Sequence, residues 1–108
     1  MDKQIDSASL RDCIKKGQIQ WRQHALERIL ERGITRLEIK EAIQNGEILE
    51  SYYQDKPFPS CLIYSINEEP LHVVVAFDPD AEICHIITAY RPDRKHFKMD
   101  LKTRREKK

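Results

Sequence analysis

The sequence predicts an α+β fold in which N-terminal helices pack on a four-stranded antiparallel meander sheet. Three observations carry this prediction. Apolar residues recur at helical spacing as far as Asn45, and from Gly46 onward the period drops to two, with β-branched and aromatic enrichment. The breaks between the later segments are short and rich in Pro, Asn and Asp, whereas parallel pairing needs a crossover of about a dozen residues or more.

Taken in order, Ser7 or Ser9 can cap a short first helix carrying Leu10, Cys13 and Ile14, which Gly17 ends as a left-handed residue. A second helix, Arg22 to Arg32, sets Ala25, Leu26, Ile29 and Leu30 on one face and stops at Gly33. Thr35 and Glu38 form a capping box for the third, and Ile34 can staple it by packing on Ile39. Its apolar residues Leu37, Ile39, Ala42 and Ile43 run to Asn45-Gly46. Strands are expected at Glu47 to Tyr53, Cys61 to Ile66, Leu71 to Asp78 and Glu82 to Tyr90. In the third, Leu71, Val73, Val75 and Phe77 share a face opposite His72, Val74 and Ala76; in the fourth, Ile83, His85 and Ile87 oppose Cys84, Ile86, Thr88 and Tyr90. Both faces are apolar in the middle, which makes this pair central, with helices on at least one side.

A chain of 108 residues supports one core, so residues 1–93 form a single domain and 94–108 a basic tail. Apolar residues at 40% and charged residues at 34% exclude disorder for most of the chain. The longest apolar run is five residues, Val73 to Phe77, against about 20 for a membrane helix, so no membrane partner is expected. Asp2 and Asp6 stand where a secretory signal would be apolar, which points to the cytoplasm. The three cysteines lack C-x-x-C spacing and fit a reducing compartment, as core or near-surface thiols.

The formal net charge of +1 hides a strong polarity. Residues 91–108 carry a balance of +6 and residues 1–90 a balance of −5. A basic tail on an acidic body suits a nucleic-acid contact or a docking arm; it is equally what a solvated terminus looks like.

His24, Arg28 and Arg32 stand at i, i+4 and i+8 on one stripe of the second helix. That set suits a phosphate, since guanidiniums offer a donor fork and an imidazole can pass a proton near neutral pH. On spacing alone it better suits a surface helix whose arginines pair with Glu27 and Glu31. His72 sits in an otherwise apolar strand, as a core residue or a functional one, and His85 has neighbours that mark a core face. His96 lies in the tail. Arg91 would emerge at the sheet rim, just before Pro92 ends the strand. Cys84 and His85 are adjacent, point to opposite faces and cannot chelate one ion, so no metal is expected. No phosphate-cradling glycine motif occurs, and no cofactor is expected.

The blocks His24-Ala25-x-x-Arg28-x-x-x-Arg32-Gly33-Ile34-Thr35, Ala42-Ile43-x-Asn45-Gly46-Glu47-Ile48, Pro70-Leu71-His72-Val73-Val74-Val75 and Ile87-Thr88-Ala89-Tyr90-x-Pro92 resemble the bacterial family catalogued as domain of unknown function 4258, over about residues 20–92. The order of elements is also similar to the RelE and BrnT ribonuclease toxins of toxin–antitoxin modules. The last strand, Ile86-Ile87-Thr88-Ala89-Tyr90-Arg91, is where the BrnT likeness falls.

The toxin likeness implies metal-independent endoribonuclease chemistry, or an RNA-binding relative of it, with RNA and a cognate antitoxin protein as partners. In that reading His72 or His24 accepts the 2′-hydroxyl proton and the other protonates the leaving oxygen. Arg28, Arg32 and Arg91 stabilise the phosphorane-like charge, and Tyr90, Thr88, Arg94 and Lys95 hold the substrate. A shared phosphate site requires His24, Arg28 and His72 to converge. The alternative is a non-catalytic protein- or RNA-interaction module on the same fold.

Overall fold

The computed structural model describes residues 5–92. In chain order these form α1 (Ser7–Lys16), β1 (Ile19–Trp21), α2 (Gln23–Glu31), α3 (Arg36–Asn45), β2 (Glu47–Tyr52), β3 (Ser60–Asn67), β4 (Glu69–Asp78) and β5 (Ile83–Tyr90). The α+β class is as expected, but the four-stranded antiparallel meander is corrected. The sheet is mixed and five-stranded, in the order β1-β5-β4-β3-β2. The unforeseen β1 pairs parallel with β5, Ile19 opposite Cys84 and Trp21 opposite Ile86. Three residues are too few to display a period of two, and the partner lies far along the chain.

The helix termini follow local chemistry. Asp6, rather than Ser7 or Ser9, caps α1, its Oδ1 accepting from the Ser9 amide at 2.7 Å. Gly17 ends that helix in the left-handed region, with φ 71°. Thr35 and Glu38 close the expected capping box on α3, Thr35 Oγ1 accepting from the Glu38 amide at 3.1 Å and Glu38 Oε1 from the Thr35 amide at 3.2 Å.

All three helices pack on one face of the sheet. Leu10 and Cys13 of α1, Ile29 of α2 and Ile39, Ala42 and Ile43 of α3 form one cluster with Cys61 and Ile63, Leu71, Val73, Val75 and Phe77, and Cys84, Ile86 and Ala89. Leu10, Ile29, Ile39, Val73 and Ile86 are wholly buried. Each contributes roughly 1.5–3 kcal/mol of apolar transfer energy, which makes this layer the main source of stability. The thiols are buried and free, and burial pushes Cys61 up to about 12 and raises Cys84 as well.

The second sheet face carries Leu62 and Tyr64 of β3, His72, Val74 and Ala76 of β4, and His85, Thr88 and Tyr90 of β5. These residues pair in register as Tyr64, His72 and Tyr90, then Leu62, Val74 and Thr88. Among the described residues no helix covers this face. The expected alternation of β5 fails midway, because a bulge between the pairs Val74–Thr88 and Val75–Ile86 leaves Ile87 as an extra, exposed residue. Thr88 and Tyr90 therefore share the face of His85, while Cys84, Ile86 and Ala89 point into the core. No described helix is long and apolar enough to cross a membrane.

Candidate nucleic-acid interface

The residues singled out in the sequence fall into three separate places. His24 and Arg28 lie on the exposed side of α2, and the His24 imidazole is 96% exposed with its Nδ1 3.9 Å from Glu27 Oε2. Arg32, one helical turn on, is exposed but bonded to β5. Its Nη1 donates to Thr88 Oγ1 at 3.1 Å and to the Ala89 carbonyl at 2.8 Å. This bond exists because β1 pairs with β5 only as far as Ile86, leaving the Ala89 carbonyl without a strand neighbour on that side.

Arg91 does reach the sheet rim, but among carboxylates. Its Nη2 lies 2.6 Å from Glu38 Oε2 and its Nε 3.4 Å from Glu69 Oε2. The Arg91 guanidinium holds the Glu38 carboxyl below the usual carboxylate range against the opposing effect of burial, with the Thr35 amide helping. The cation is thereby largely neutralised.

His72 is wholly buried on the helix-free face, edge-on to both neighbours, with ring centroids 5.7 Å from Tyr64 and 5.4 Å from Tyr90. The expected convergence of His24, Arg28 and His72 is corrected. Leu71 and Val73 face the helices, so strand alternation turns His72 away from α2. Arg94, Lys95 and the rest of the expected 94–108 tail lie outside the described residues.

What the sheet does assemble on its helix-free face is an open cleft of about 200 Å³, lined by Arg22, Asp55, Lys56, Pro57, Phe58, Ser60, Val74, Ala76 and Ile87. Arg22 is the hinge residue between β1 and α2. Lys56 to Phe58 belong to the β2–β3 connection, whose Lys56–Pro57 peptide is cis. Phe58 stacks on His85, centroids 5.1 Å apart and planes 13° from parallel. Ala76, directly opposite His85, forms part of the cleft floor. The Ser60 hydroxyl donates to the Asp55 carboxylate, which occupies that anion internally.

His85, which the sequence suggests as a core residue, lies beside this cleft instead. Ile83 and Ile87 suggested a core face, yet the core residues are Cys84 and Ile86. Burial, and secondarily the Arg22 charge, lower its pKa, with Asp78 acting in the opposite sense. Its Nδ1 is buried without a hydrogen-bond partner, so the proton of the neutral ring belongs on Nε2. Phe58, flanked by two prolines, was the available signal, since an aromatic held in a rigid turn beside Lys56 is a recognition arrangement as well as a turn.

The fold and this cleft define a small α+β protein whose helices protect one sheet face and leave cationic and aromatic side chains gathered on the other. Residues 21–91, well over half of the chain, match the family model described as domain of unknown function (DUF4258), and the chain belongs to that family. No curated protein and no solved structure matches it. The matched region starts in β1 and ends one residue beyond β5, so it contains the cleft and leaves out α1.

Proposed function

We propose that the protein is an RNA-binding relative of the toxin-type ribonucleases, taking single-stranded RNA at the cleft on the helix-free sheet face. The observation that supports this most directly is the cleft itself, where Phe58, backed by the stacked His85 ring, sits with Arg22 and Lys56. Aromatic faces accept unstacked bases, and cations meet the intervening phosphates. Basic residues 94–108 supply further phosphate contacts that carry affinity without reading base edges.

Binding is favoured over cleavage because the groups named for catalysis do not form one site. His72 is enclosed, Arg91 is paired with carboxylates, Arg32 is bonded to β5, and His24 and Arg28 lie apart from all three on the exposed side of α2. The deciding experiment incubates the full chain with single-stranded and structured RNA in EDTA, reading binding as a function of salt and the end groups of any product. Expected are preferential single-strand binding, a log-affinity slope against log salt of roughly −0.7 per phosphate contacted, and intact RNA. Products ending in 2′,3′-cyclic phosphate would establish metal-independent cleavage instead. Absence of RNA binding at low salt would remove the proposal.

A further inference from the structure

Three features of the cleft bear on what it takes. The Phe58 ring is held against His85 in near-parallel stacking, which fixes an aromatic plane at the cleft wall instead of leaving a mobile side chain. Arg22 and Lys56 line the same cleft from two different connections of the chain, one preceding α2 and one preceding β3. Arg22 and Lys56 outnumber Asp55, the one carboxylate in the lining, so the balance presented to a ligand is cationic.

His85 adds a directional element. With Nδ1 buried and unpartnered, a second ring proton would sit on a nitrogen that has no acceptor, which disfavours the charged form and leaves the ring neutral at neutral pH with its hydrogen on Nε2. A neutral ring is a stacking partner and a hydrogen-bond donor; it is not a general acid. The charged groups bearing on it are Arg22 and Asp78, which act in opposite senses, with Lys56 and Asp55 lining the adjoining cleft.

We infer that the cleft is a subsite for one nucleotide, its unstacked base lying against Phe58, which His85 backs, and its phosphate meeting Arg22 and Lys56. This rests on the RNA-binding reading and gives it a location. It also makes base and phosphate separable, because the two halves of the nucleotide meet different side chains. Stacking of one base on an aromatic side chain supplies roughly a ten-fold share of the affinity, and a sugar phosphate lacking the base loses it.

The test titrates the full chain with uridine monophosphate and, separately, with ribose 5-phosphate, following the His85 ring signals by NMR, assigned with a His85→Gln variant. Expected are shifts of the His85 signals with the nucleotide, and binding of ribose 5-phosphate weaker by roughly ten-fold. Phe58→Leu should cut nucleotide affinity to near that of the sugar phosphate, whereas Arg22→Gln should weaken both ligands. Equal affinity for the two ligands in the unmodified protein would overturn the subsite, and that comparison needs no variant to fold. A ten-nucleotide oligouridine separates the two claims. If it binds no more tightly than the mononucleotide, the RNA reading fails and the subsite stands; if it binds equally to Phe58→Leu and the unmodified chain, the subsite fails and the RNA reading stands.

Discussion

Arg91 reaches back across 53 positions to place Nη2 at 2.6 Å from Glu38 Oε2, so one carboxylate both closes the capping box of α3 and ties that helix to the end of β5. Glu38→Gln keeps the shape and part of the cap but removes the charge. The expected cost is about 1 kcal/mol at pH 7, reduced by added salt because both side chains are about a third exposed. Because the folded state lowers this pKa, the contribution is complete above the unfolded value of about 4.3 and disappears as pH falls through the folded one. Urea midpoints of both proteins should therefore differ at pH 7 and draw together near pH 3. A gap that persists at pH 3 would assign the effect to packing.

The stripe of His24, Arg28 and Arg32 divides between surface and structure, and substitution should show the division. Arg32→Ala removes both hydrogen bonds to β5 and is expected to cost about 1–2 kcal/mol by denaturant unfolding. Arg28→Ala, on the exposed side of α2, should leave stability within about 0.5 kcal/mol. The opposite pattern, with Arg28 carrying stability, would contradict the geometry.

Local signals in the sequence were reliable where the chemistry is local. The capping box at Thr35, the left-handed Gly17 and the end of α3 at Asn45 each depend on neighbours within a turn. The strand positions hold to within one or two residues because β-branched and aromatic runs are bounded by Pro, Asn and Asp turns. What escaped depends on distant partners. β1 is a strand because β5 offers an edge, and the Ile87 bulge, which turns Thr88 and Tyr90 toward His85, has no composition of its own. The expected convergence of His24, Arg28 and His72 follows from the needs of a shared phosphate site, whereas the decisive variable is the sheet face on which His72 lies.

Gly46 and Gly17 are constrained for different reasons, and alanine should separate them. Gly46 has an ordinary φ of −83°, yet an added Cβ would lie 2.5 Å from the Ala42 and Tyr64 carbonyl oxygens and 2.8 Å from Ile63 Cγ2. Backbone cannot yield as a flexible side chain would, so Gly46→Ala is expected to cost roughly 3 kcal/mol by displacing the start of β2. At Gly17 the Cβ meets nothing, and the cost of about 1 kcal/mol comes from φ +71° alone. Thermal unfolding of the two variants should rank them in that order, and near-equal losses would show that the contact at Gly46 relaxes.

His85 should titrate below the ordinary histidine value of about 6.5, first through burial and then through Arg22. Arg22→Gln removes the second cause and should move the midpoint of its ring-proton signal upward, while Asp78→Asn, which removes the opposing charge, should move it down. The stability linkage follows in sign. A folded pKa below the unfolded one means the unfolded chain binds more protons between the two values, so the His85 contribution is full above about pH 6.5 and is lost as pH falls toward the folded value. Arg22→Gln narrows that window and should flatten the pH dependence of the urea midpoint between pH 6.5 and 5. A His85 midpoint at or above 6.5 in the unmodified protein would mean that Nδ1 finds an acceptor in solution, and the ring would then be available to carry a charge into the cleft.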